Sequence, residues 1–155
     1  MYPALISKWN NVDFIDLGIS GHAKAEEGII EYLSGIKCSV FVYDYDHNAD
    51  DAEYLSKTHY KLYEEFRKTH KDIPIIMVSS PNPERIDKDG KRVEVIRQSY
   101  LKAKESGDNN VYFIDGKTLF GKKDRGNCTI DGSHPTDLGF YRMATVINKV
   151  VKKFL

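Results

Sequence analysis

CSVFVYDYDHNADDAEYLSKTHYKLYEEFRKTHKDIPIIMVSS, residues 38–80, sets one long amphipathic stretch between two short apolar runs. CSVFVY (38–43) is almost wholly apolar, as a strand covered on both faces should be. IPIIMVS (73–79) has the same character and stops at SSPNP. Between them, residues 51–70 place Leu55, His59, Leu62 and Phe66 three or four apart, the stripe of a helix packed on a core. Strand, helix and strand in this order require parallel pairing through a right-handed crossover.

The same alternation extends both ways. VDFIDL (12–17) reads as a strand followed by Gly18 and Gly21, and AKAEEGIIEYLSG (23–35) as a helix with Ile29, Ile30 and Leu33 on one face. Residues 91–106 read as a helix and VYFID (111–115) as a strand. The last helix, about 136–154, carries Phe140, Met143, Ile147, Val150, Val151 and Phe154 on one stripe. The expectation is a single domain over 1–155 with a three-layer α/β/α, flavodoxin-like parallel sheet. Its site should lie beyond the carboxyl ends of the strands, in loops 18–22, 44–51, 79–90 and 116–135.

Composition narrows the function classes. In 155 residues, 23 Lys and Arg balance 23 Asp and Glu. The general electrostatic argument for nucleic acid or an anionic membrane is thereby absent. No apolar run is long enough for a transmembrane helix, and MYPALISKWNN lacks the marks of a signal peptide, so a soluble chain of unassigned compartment is expected. Cys38 and Cys128 show no metal spacing and no disulfide framework.

Three loops carry candidate chemistry. In GISGH (18–22), a glycine after a strand can aim a free N–H at a ligand, or simply make a strand-to-helix turn. Ser20 suggests a nucleophile elbow, but His22 occupies the position that needs a second glycine. In DYDHNADD (44–51), the acids could bind a metal, Asp50 or Asp51 could cap the next helix, or Asn48 could donate its amide to a developing oxyanion. The loop has no glycine of the kind that oxygen-rich metal loops use to turn. In DGSHPTDLG (131–139), Pro135 forces His134 into an extended conformation, and Thr136 or Asp137 can cap the final helix. Asp131 lies three residues before His134, where it can fix the imidazole tautomer or merely stabilise the turn.

Taken together, LGISG, DYDHNA and DGSHPTDLGF resemble, in order, three sequence blocks of the SGNH hydrolases, also called the GDSL esterase/lipase superfamily. The resemblance runs from Tyr2 to the final helix. It implies a serine esterase, or acylhydrolase, that acts on a small-molecule or carbohydrate ester without a metal or other cofactor. It also implies Asp131 and His134 as triad acid and base, and the Gly21 N–H and Asn48 amide as the oxyanion hole.

The family's first block is a Gly-Asp-Ser or Gly-Ser-Ser motif that carries the nucleophile. In relatives it precedes a segment like YPALISKW, and it does not occur in these residues. The nucleophile is therefore unknown, with Ser20, Ser79, Ser80 and Ser133 as loop candidates and Ser20 a weak one. The expectation is that the chain is N-terminally shortened or a degenerate homologue, so that turnover by these residues alone is doubtful. The family's first strand, which lies beside the equivalents of 12–17 and 38–43, is missing too, and something should cover the gap, for example a second copy of the chain. Two other readings are a non-catalytic binding module for an ester or carbohydrate, and a flavodoxin-like phosphate binder, which lacks a phosphate-cradling glycine pattern.

Overall fold

The computed structural model of the chain describes residues 1–81 and 90–155. The elements are α1 (Tyr2–Asn10), α2 (Glu27–Gly35), β1 (Phe41–Tyr43), α3 (Ala52–Thr69), β2 (Ile75–Val78), α4 (Lys91–Glu105), β3 (Val111–Ile114) and α5 (Asp137–Val151). Two 3-10 turns, Gly116–Thr118 and Arg125–Cys128, lie between β3 and α5. The strands form a parallel sheet in the order β1-β2-β3, with Phe41 beside Ile75 and Ile75 beside Val111.

Alternation along β2 produces the layers. Ile75 and Met77 join a core with Leu55, Leu62, Phe66, Ile96 and Ala103, which belong to α3 and α4. Ile76 and Val78 point to the other face and join Ile6, Met143, Ala144 and Ile147 of α1 and α5. All four β2 residues are at most 1% exposed. The sheet is thus covered on both sides, which is the expected α/β/α arrangement.

Helix ends follow local chemistry. The Asp51 carboxylate accepts the Tyr54 N–H at 2.7 Å, so Asp51 and not Asp50 caps α3. Thr136, not Asp137, caps α5 through its hydroxyl oxygen and the Gly139 N–H. Helix α1 was not foreseen from the sequence. Its proline sits in the first turn, where a missing N–H costs nothing, and Tyr2, Leu5 and Ile6 pack onto the core beside α5.

The expected strand at 12–17 does not form. VDFIDL is outside regular structure, with Phe14 44% and Ile15 62% exposed. An extended segment becomes a strand only against a partner, and the outer edge of β1 carries no further strand among the described residues. Helix α2 starts at Glu27 rather than at residue 23, after Ala25 takes a positive φ of 57°.

One polar group lies inside the α3 layer. His59 is 1% exposed, its ring 4.6 Å from that of Tyr43 and 5.8 Å from that of Tyr45. Its Nδ1 has no hydrogen-bond partner among the described residues. Burial pushes its pKa down to about 3. The unfolded chain binds this proton near pH 6.5 and the native one does not, so stability is complete above that pH and declines below it. From pH 7.5 to pH 5 the native chain should lose about 2 kcal/mol relative to His59→Leu. Urea midpoints of both proteins across this range check it, and a constant difference would refute it.

Candidate functional site

The chain between β3 and α5 doubles back at the carboxyl end of the sheet. The Thr136 N–H donates to the Cys128 carbonyl and the Ile130 N–H to the His134 carbonyl, both at 2.9 Å. Thr129 and Pro135 pair as an antiparallel bridge. Gly132 takes the positive φ, 86°, that closes the turn. Asp131 fills this hairpin with hydrogen bonds. Its Oδ1 accepts the backbone N–H groups of Ser133 at 2.9 Å and His134 at 2.8 Å, and its Oδ2 lies 2.8 Å from His134 Nδ1. With the carboxylate at Nδ1, that nitrogen carries the proton and Nε2 is left as an acceptor. The imidazole is 79% exposed and the carboxylate 44%, so a reactant can reach them. The His134 N–H, the His134 ring and the Ser133 N–H hold the Asp131 carboxyl well below the usual carboxylate range.

The start of α5 holds the hairpin in place. A Cβ on Gly139 would overlap the Cys128 carbonyl oxygen, so only glycine lets the first turn approach so closely. Thr136 donates its hydroxyl to the Asn127 carbonyl at 2.8 Å. Arg142 donates to the carbonyls of Phe120 at 2.7 Å and Lys123 at 2.6 Å.

The other candidates lie on two different segments. Asn48 sits in a turn after β1 whose Asn48 and Ala49 N–H groups both reach the Tyr45 carbonyl, at 2.9 and 3.2 Å. Its side-chain amide is half-buried and has no hydrogen-bond partner among the described residues. Gly21, with φ 82°, is exposed in a turn closed by the His22 N–H on the Ile19 carbonyl at 2.8 Å. Two contacts bring the end of this segment to the Asn48 loop and to α3: Lys24 Nζ on Asp50 at 2.5 Å, and the Tyr54 hydroxyl on the Lys24 carbonyl at 3.1 Å. No hydrogen bond among the described residues joins Gly21 or Asn48 to the Asp131–His134 pair.

The candidate serines divide clearly. Ser79 and Ser80 are 2% and 3% exposed at the end of β2. Ser79 Oγ accepts the Gly116 N–H at 2.8 Å, and the Ser80 N–H donates to Asp46 at 2.8 Å. Ser20 is exposed, with φ 41°. No serine hydroxyl among the described residues is hydrogen-bonded to His134. In the 79–90 loop, residues 82–89 lie outside the described residues.

Sequence reading missed three features here. Asp44, at the end of β1, accepts the Tyr2 hydroxyl at 3.0 Å. Burial above all, with the Asp46 and Asp16 carboxylates adding, raises its pKa to about 7 against the opposing Tyr2 bond. Gly139 and Arg142 are the other two. A sequence signal was available only for Gly139, as a glycine inside a helix that propensity alone disfavours. Among the described residues, no three His, Cys, Asp or Glu side chains converge as metal ligands, and no helix is long and apolar enough to cross a membrane.

Comparison with known proteins bears on the family and the fold. The sequence model of the GDSL-like lipase/acylhydrolase family matches residues 1–152. No curated protein matches the chain. Two solved structures are similar over 99% of it. One, from Bacteroides ovatus ATCC 8483, is described as a GDSL-like lipase and is 28% identical, with a TM-score of 0.85. The other, the salicylyl-acyltransferase SsfX3 of a tetracycline biosynthetic pathway, is 15% identical with a TM-score of 0.83, and this likeness is one of fold. The chain spans about half the length of these structures, 47% and 48%.

Two expectations follow from the geometry. Gly139→Ala would gain up to about 1 kcal/mol of helix propensity elsewhere. Here the collision with Cys128 should outweigh it and lower stability by about 1–3 kcal/mol, read as a fall in Tm. For Asp131, whose folded pKa is depressed, the stabilisation is present above the usual carboxylate range and lost as pH falls below it. The Ser133 and His134 amide signals should therefore titrate together, with a midpoint below that of an exposed aspartate. A midpoint in the ordinary range would contradict the bonds to Asp131.

Proposed function

Because the chain belongs to the GDSL-like lipase/acylhydrolase family, we propose that its hydrolase fold carries the acid–base and oxyanion groups of a serine esterase acting on a small-molecule or carbohydrate ester. The observation that carries this reading is the Asp131–His134 pair. One imidazole nitrogen is held by a carboxylate at 2.8 Å, and the side chain remains open to a reactant.

In this reading His134 Nε2 removes the proton from a serine hydroxyl as the oxygen attacks the ester carbonyl. Asp131 keeps the imidazole in the accepting tautomer and stabilises the imidazolium that forms. Charge on the carbonyl oxygen is met by the Gly21 N–H and the Asn48 amide, which has no hydrogen-bond partner among the described residues. The imidazolium then protonates the departing alcohol. A water, deprotonated by the same nitrogen, releases the acid and restores the serine.

Neither of the buried candidates, Ser79 and Ser80, suits this step. Ser79 Oγ is engaged by Gly116, and both Ser79 and Ser80 are enclosed at the end of β2. The fluorophosphonate reaction of the chain is therefore the first test. The 155 residues by themselves should not be labelled, and should hydrolyse p-nitrophenyl acetate no faster than His134→Ala. A serine labelled in a His134-dependent way would place the nucleophile within these residues.

Fused to a family strand that carries a Gly-Asp-Ser or Gly-Ser-Ser motif, the chain should hydrolyse the ester. It should lose at least about 1000-fold in His134→Ala and about 100- to 1000-fold in Asn48→Ala. Turnover that survives His134→Ala would overturn the assignment.

A further inference from the structure

The loop that presents Asn48 is gripped by two side chains that play no part in the reaction above. Asp46 is 3% exposed, and its Oδ2 accepts the Ser80 N–H at 2.8 Å. A carboxylate is thus enclosed where β1 and β2 end, and it ties one strand end to the next. Arg92, in the first turn of α4, donates Nη1 to the carbonyls of Asp46 and Ala49, the latter at 2.8 Å, and Nη2 to the carbonyl of Asp50 at 3.0 Å. These carbonyls bracket Asn48, two residues before it and one and two residues after.

With the Asn48 and Ala49 N–H groups drawn onto Tyr45, the backbone through Asn48 is held from both sides, and its side-chain amide keeps only its own torsions. A guanidinium suits this task because its N–H groups leave one plane in fixed directions; an ammonium is a point donor on a flexible stem. The hold continues across the sheet. Ser79 accepts the Gly116 N–H, and a Cβ on Gly116 would overlap the Ser80 carbonyl oxygen. The Asn48 loop is therefore joined through the end of β2 to the chain that leads to Asp131 and His134.

We infer that Arg92, together with Asp46, is a positioning residue for Asn48, fixing where the amide sits before charge develops on a substrate oxygen. This rests on the reading of Asn48 as an oxyanion donor. Such a donor acts through preorganisation, so a loop free to drift would forfeit most of its effect.

The test is made on the 155-residue chain, labelled with nitrogen-15, and reads the Asn48 side-chain amide pair. Arg92→Lys keeps the charge and removes the fork. The Trp9 indole and α5 signals should stay at native positions. The Asn48 pair should shift, and backbone amide exchange at Asn48 and Ala49 should quicken at least about tenfold. Asn48 signals superimposable on the native ones overturn the inference. If Arg92→Lys does not fold, Asp46→Ala, which removes the acceptor of the Ser80 N–H, is read in the same way, with displacement of Asn48 in its favour and none against it.

In the same fusion to a strand with a Gly-Asp-Ser or Gly-Ser-Ser motif, Arg92→Lys should lower kcat about tenfold with KM within about twofold. A rise in KM alone overturns the positioning role. Failure of the oxyanion reading is distinguishable. If Asn48→Ala retains full turnover while Arg92→Lys displaces Asn48, the frame stands and the donor role falls.

Discussion

Strand β2 admits no water on either face, and the rest of the structure answers to that constraint. Its backbone pairs on both sides, with β1 and with β3, and its side chains alternate between two cores. Both faces must therefore be covered by helices: the connecting helices α3 and α4 cover one, and α1 and α5, which precede and follow the three strands, cover the other. Chemistry is excluded from the strand itself and displaced to where it ends. There Ser79 and Ser80 remain buried, and polar groups of three consecutive loops come within bonding distance of one another.

The site shows a division between exposed groups and enclosed supports. Asp131 and His134 stand in solvent, so their geometry cannot depend on packing of their own side chains. It depends on the hairpin, whose amides hold the carboxylate, and on the glycine that lets α5 close on Cys128. The Asn48 loop is built the other way, its half-buried amide carried on a loop held by a buried carboxylate and a guanidinium. Both solutions supply order without covering the groups that would meet a substrate.

Similarity to larger proteins fits this picture. The chain aligns along nearly all its length with about half of each of two solved structures, at TM-scores above 0.8. The free outer edge of β1 and the irregular, exposed 12–17 segment are adjacent consequences of one fact. Backbone groups there have no strand to meet among the described residues, and a run such as VDFIDL has the composition of a strand without the partner that makes one.

By itself, the sequence determined the class of the fold, the strands at 38–43, 73–79 and 111–115, and the alternation that makes them parallel. Those properties are local in origin, being hydrophobic periodicity and chain order, and the structure returns them with shorter ends. It also set Asp131 three residues before His134, close enough to meet, and the hairpin with Gly132 at positive φ brings them to 2.8 Å. Tertiary structure alone decided the fate of residues 12–17 and of α1, because pairing and burial depend on what stands opposite. It alone recruited Arg92 to a loop more than forty residues away. A guanidinium in the first turn of a helix looks from its neighbours like a solvated surface charge. Only the folded chain brings three carbonyl oxygens within its reach.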